Sequence, residues 1–188
     1  MSVTLSNLIS KVRYLIKDNT TEMTPGDIFT YENSNVFTLT ESNVSSVSTV
    51  LVNDSELNSG DWSYDSTTNK VTISSSLSTG DVVEIRYSYY PNYSDTEIKR
   101  YIEAALVYIS VNNYKTFIVE NETIFPEPDD REKNLIALIT AILIEPNNQT
   151  IRLPDVSIVA PRDLPTDQKI SKAIAYFKKN IHGIFDVL

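Results

Sequence analysis

The chain has 188 residues, 41% of them hydrophobic and 22% charged, and carries a formal net charge of −9 at pH 7. That is enough chain for one good core, or a core and a small satellite, but the balance is wrong for gripping a phosphate backbone, which calls for a basic excess or a dense basic patch. Cysteine is absent, which excludes disulfide frameworks, thiolate metal sites and cysteine nucleophiles, and fits synthesis in a reducing cytoplasm.

The opening residues Met1-Ser2-Val3-Thr4-Leu5-Ser6-Asn7 lack the basic stretch and apolar run of a secretory signal. From Thr4 to Asp18, Leu5, Leu8, Val12 and Leu15 recur at three- and four-residue steps, and Ile9 and Ile16 widen the stripe. This predicts a helix with Thr4 or Ser2 as its N-cap. Asp18 to Gly26 then reads as a loop.

Between Asp27 and Tyr90 the period drops to two. Val83, Ile85, Tyr87 and Tyr89 fall on one face of a strand, and Val47 to Val52 alternates up to a turn at Asn53-Asp54. Asp61–Tyr64 and Lys70–Ile73 predict a hairpin around residues 65–69. Phe29–Tyr31 and Val36–Leu39 supply further short strands.

After Tyr93 the helical period returns. Ser94-Asp95-Thr96-Glu97 has the form of a capping box, ahead of a seam made by Ile98, Tyr101, Ile102, Ala105, Leu106 and Ile109. Asp129-Asp130-Arg131-Glu132 repeats the device before a helix that is apolar nearly all round, from Leu135 to Leu143, and so is expected at the centre of the fold. Pro146 ends it. Thr166 caps a last helix with Ile170, Ala173, Ile174, Phe177, Ile181 and Ile184 on one side. The longest apolar run, Leu135–Ile144, is too short to span a bilayer.

No catalytic constellation emerges. His182 is the single histidine, at a helix end where the dipole favours it, and no nucleophile or carboxylate partner accompanies it by spacing. Glu127, Asp129 and Asp130 could be taken for a metal trio, but acids in the first turn of a helix are favourable without any ion. Asn53-Asp54-Ser55-Glu56 lacks the glycine and distal glutamate of a calcium loop and reads as a hairpin turn. No phosphate-binding glycine loop is present. The chain is therefore read as a non-enzyme needing no cofactor or metal.

Other features point toward surfaces. Between Asp27 and Tyr90 nine acidic residues face only Lys70 and Arg86, a charge that serves solubility, meets a basic partner, or keeps DNA from sticking. Most aromatics of this stretch are expected in its core, although an exposed Trp62–Tyr64 strip would suit recognition of a glycan or host surface. Thr150 to Pro161 is bracketed by Pro154 and Pro161 and predicted to be extended. Its apolar residues Ile151, Leu153, Val156, Ile158 and Val159 would either lie on their own domain or form an inter-subunit arm that adds to a neighbour's sheet edge. Ile184, Phe185, Val187 and Leu188 make an apolar C-terminal segment, expected to fold back or to dock in a partner.

The expected fold is α+β, with a four-helix bundle from residues 1–25 and 92–188 and a small antiparallel β module, residues 26–91, inserted after the first helix. The first helix is assigned to the bundle because about fifteen isolated helical residues are marginal in water. The order of these elements resembles the head–tail connector, or adaptor, proteins of long-tailed phages: leading helix Leu5–Lys17, capped helix from Ser94, apolar helix Leu135–Ile144 ending at Pro146, extended Ile151–Pro161, and closing helix to Phe185. The run Val50–Asp54, Gly60–Asp65, Lys70–Ile73 and Gly80–Tyr87 is similar to β modules of phage virion proteins, whereas the minimal adaptor has no such insert.

The resemblance implies a four-helix adaptor-like fold and a structural virion protein of the neck, made in the host cytoplasm and without membrane contact. Copies would form a ring, normally of twelve, between the portal protein and the tail or stopper protein. DNA would pass through without sequence-specific contact. Ile184, Phe185, Val187 and Leu188 would dock to the portal. The other readings are a binding module whose β insert recognises a glycan or host surface from a helical stalk, and a hydrolase with a hidden carboxylate pair.

Overall fold

Residues up to Asp18 fold together with those from Asp95 onward, and Asn19–Ser94 form a second unit. The computed structural model describes residues 3–147, 150–153, 156–159 and 164–182.

Seven strands build the second unit as two antiparallel sheets. β1 (Thr21–Thr30), β2 (Val36–Thr38), β3 (Val44–Val52), β4 (Ser55–Glu56), β5 (Trp62–Asp65), β6 (Lys70–Ile73) and β7 (Val82–Tyr89) pair in the orders β1-β7-β3-β4 and β2-β6-β5. Alternation decides the buried face: Val83, Ile85 and Tyr87 of β7 and Val71 and Ile73 of β6 are each 1% exposed or less. They meet Phe37, Leu39 and Val50 in one core drawn from both sheets. Each large side chain buried this way is worth about 1.5–3 kcal/mol, as an upper figure. The expected hairpin is present as β5–β6, with Asp65 opposite Lys70. Asn53 and Asp54 take φ of 49° and 65° and close the tight β3–β4 turn, a backbone region that Asn and Asp tolerate.

β1 differs from expectation. Where Asp18–Gly26 reads as a loop, the strand runs from Thr21 and shifts register between Met23 and Asp27. Pro25 falls inside that irregularity, where no ladder N–H is required. Gly26 is needed there for a steric reason: a Cβ would lie 2.2 Å from the carbonyl oxygen of Ile85. Beyond it Asp27 is buried, and its Oδ2 accepts from the Tyr87 hydroxyl at 3.0 Å and the Thr40 N–H at 2.7 Å. Burial, helped by that carboxylate, pushes the Tyr87 phenol up to about 12 against the Glu41 N–H that it accepts.

In the other unit, α1 (Leu5–Ile16) buries Leu5, Leu8, Ile9, Val12, Leu15 and Ile16, the stripe that its spacing predicts. Asn7 Oδ1 accepts the Thr4 N–H at 2.8 Å at its start. α2 (Asp95–Val111) and α4 (Thr166–His182) pack, like α1, on α3 (Asp130–Ile144). α3 is buried on nearly every side, from Leu135 to Ile142. Its capping box is formed as expected: Asp129 Oδ1 accepts Glu132 N–H at 2.7 Å and Glu132 Oε2 accepts Asp129 N–H at 2.9 Å.

Two hairpins complete this unit. β8 (Ile118–Glu120) pairs with β9 (Thr123–Phe125) across Asn121-Glu122, both at positive φ. The hairpin is tied to the leading segment by Leu5 N–H to Glu122 O at 2.8 Å and Ile124 N–H to Val3 O at 2.9 Å. β10 (Thr150–Leu153) pairs with β11 (Val156–Val159), Ile151 opposite Ile158.

These sheets correct the expected fold class. The protein is a mixed α+β fold and not a four-helix bundle with a small insert: helix makes up about 36% of the chain and strand about 29%. The β unit holds about two-fifths of the residues and has a core of its own. The helical unit carries hairpins in the segments between its helices, where short paired strands satisfy backbone groups that a plain loop would leave to water.

Candidate interaction surface

The chain leaves the helical unit at Asp18 and re-enters it at Asp95. Arg13, on the last turn of α1, bonds to both. Its Nη1 donates to Asp18 Oδ2 and its Nη2 to Asp95 Oδ1 at 2.6 Å. The arginine and Asp18 side chains are 5% and 1% exposed, while Asp95 is 64% exposed. The inner arm is therefore the costly one to break, and the outer is worth about 1 kcal/mol or less. Arg13 thus holds the two ends of the insertion together within the helical unit.

α2 has two unlike flanks. On one, Tyr108 and Asn112 are covered by α4: the Tyr108 hydroxyl reaches Asp167 at 3.5 Å, Ser171 Oγ meets Asn112 Oδ1 at 3.3 Å, and Lys178 Nζ donates to the Asn112 carbonyl at 2.8 Å. On the other, Leu106, Val107, Val111, Phe117 and Val119, with Glu103 and Ser110, line an open groove of about 330 Å³ against β8. Val107 and Val111 are 62% and 72% exposed. Apolar side chains presented together, rimmed by polar ones, are the usual mark of a protein contact. The outer edge of β8 has no strand beside it among the described residues. Lys115, above the Phe117 ring, is turned to both oxygens of Glu132 at 2.7 and 2.8 Å. Glu103 is exposed at the groove and is the charged residue of its lining.

Charge is divided unevenly. Residues 19–94 hold ten acidic side chains against Lys70 and Arg86, which is eight of the nine net negative charges. The helical unit is close to neutral, fifteen acids against fourteen bases. Several β-unit carboxylates are held ionised by turn geometry. Hydrogen bonds from Thr68 and the Thr67 N–H keep Asp65 below the usual range, those from the Ser78 N–H and Asn53 do so for Asp81, and Arg86 does so for Glu84.

Of the residues singled out from the sequence, Trp62 and Tyr64 lie on one face of β5, half-buried against the β core. The Tyr64 hydroxyl donates to Asn69 Oδ1 at 3.0 Å, and burial, with the Asp65 charge added, raises its phenol. Ile151, Leu153, Val156, Ile158 and Val159 fall in β10 and β11, whose backbones pair with each other; their side chains lie outside the described residues. Ile184, Phe185, Val187 and Leu188 also lie outside them. Asp129 caps α3 and Asp130 pairs with Lys133 at 3.0 Å. Among the described residues no group of three His, Cys, Asp or Glu could hold a metal ion, and no helix is long and apolar enough to cross a membrane.

The groove itself escaped the sequence reading. Val107 and Val111 are an i, i+4 apolar pair off the α2 seam, a signal that was legible. Phe117 and Val119 needed the β8–β9 hairpin to bring them alongside. No model of a known protein family matches the chain, and neither does any curated protein.

Proposed function

We propose that the protein is a structural component of a tailed-phage particle, a head–tail connector whose copies form a ring between the portal and the tail or stopper, around the DNA exit channel. The observation that carries this reading is the exposed apolar flank of α2 with β8, on a unit whose opposite α2 flank is covered by its own α4. Such asymmetry suits repeated head-to-tail contacts. The near-neutral helical unit supports close approach between copies, and the acidic β unit supports a wall that does not bind DNA. In this reading Ile184, Phe185, Val187 and Leu188 meet the portal, and avidity around the ring multiplies a modest contact per subunit.

The test is mass photometry and negative-stain imaging of the chain alone and mixed with the portal protein of a phage that encodes it. Rings, or subunits that become rings on the portal, are expected. Removing Phe185–Leu188 should leave the melt unchanged and abolish portal binding. Neither ring nor portal complex, at concentrations where both proteins stay folded, refutes the proposal.

A further inference from the structure

The groove on α2 needs an occupant, and its chemistry narrows the choice. Its floor is apolar and Glu103 is the charged residue of its lining, so a cationic apolar knob fits it better than an acidic one. The segment Ile184–Leu188 would bring the acidic Asp186 to that lining. A different feature of the same unit matches. Tyr14, on the outer face of α1, is 69% exposed, the most exposed aromatic among the described residues of the helical unit, and Lys17 stands exposed one turn further on. Tyr176 competes less well: it is 45% exposed and packs edge-on against Phe177 at 6.0 Å between ring centroids.

Resting on the connector reading, we infer that the α2–β8 groove of one copy receives Tyr14 and Lys17 of a second copy. The Tyr14 ring lies between Val107, Val111 and Phe117, and the Lys17 ammonium faces Glu103. A cavity of about 330 Å³ has room for one aromatic side chain. When a copy gives its knob to one neighbour and its groove to another, the contact is heterologous and each copy keeps one of each free until a ring closes. The charge division selects this unit for the contact: copies meeting through their β units would bring ten carboxylates against ten.

The test uses the full-length chain, without portal, in sedimentation velocity from micromolar to near-millimolar concentration. Tyr14→Ser and Val107→Asp, both at exposed positions, should each weaken self-association about tenfold or more while leaving the thermal melt in place. Mixed together the two variants should form a one-to-one dimer and stop there, because each supplies the surface that the other lacks. Lys17→Glu should weaken association, and combining it with Glu103→Lys should restore part of it. A chain that stays monomeric throughout overturns the inference, and so does association that ignores Tyr14 and Val107. Loss of association on removing Ile184–Leu188 alone assigns the groove to that segment and overturns it too. Portal binding, measured separately, judges the connector reading in each case.

Discussion

Gly26 offers the sharpest quantitative prediction. Gly26→Ala would place a methyl carbon 2.2 Å from the Ile85 carbonyl oxygen and 2.6 Å from its carbon, both backbone atoms of the central strand β7. Ordinary contact begins above about 3.4 Å, so β1 must withdraw by roughly an ångström. Neither partner is the far end of a flexible side chain. Overpacking of this kind costs about 1–3 kcal/mol, and loosening the ladder beside the bulge adds about 1 kcal/mol per hydrogen bond lost. We expect the β unit to lose about 3 kcal/mol or more. Trp62, the only tryptophan, sits on β5 inside that unit. A urea titration followed by its fluorescence therefore reports the β unit, while helical circular dichroism reports the other. Gly60 is the control: no atom lies within 4 Å of its added Cβ and its φ is not left-handed. Gly60→Ala should be neutral or should stabilise by about 0.4–1 kcal/mol through the unfolded chain. A loss below about 1 kcal/mol for Gly26→Ala would refute the close-approach argument.

Arg13→Met should destabilise the helical unit by about 3–5 kcal/mol, because the Asp18 side chain, 1% exposed, then keeps its charge in the interior without that cation; adding Asp18→Asn should recover part of the loss in a helical melt. Tyr87 gives a pH test. Its folded phenol titrates at about 12 against 10.0 in the unfolded chain, so its contribution is complete below pH 10 and is lost as the pH rises toward 12. Urea stability of the β unit should fall over that window, and the Tyr87→Phe variant should lose this component. Asp129→Ala removes the acceptor for the Glu132 N–H and should cost about 1 kcal/mol, seen as a lower melting temperature of the helical signal.

The local sequence was sufficient for elements whose signal is periodic and self-contained. The α1 stripe, the Asp129–Glu132 capping box, the encircled apolar face of α3 and the alternation of β7 each follow from side-chain spacing, because a helix or a pleated strand shows one repeating face to its core. The Asn53-Asp54 turn was likewise readable, since its residues tolerate the backbone that it requires.

What tertiary structure decided was pairing. β1 hides behind Thr24-Pro25-Gly26, a run that reads as a loop until β7 lies beside it and the glycine admits the Ile85 carbonyl. β8 and β9 are three residues each, too short for any period to show, and their hairpin is held from the far end of the unit by Val3, which bonds Ile124 of β9, and Leu5, which bonds Glu122 of the turn. The groove depends on that same long-range pairing, which sets Phe117 and Val119 beside Val107 and Val111. Spacing along a chain encodes which face is apolar; only contacts between distant segments determine which apolar faces stay uncovered.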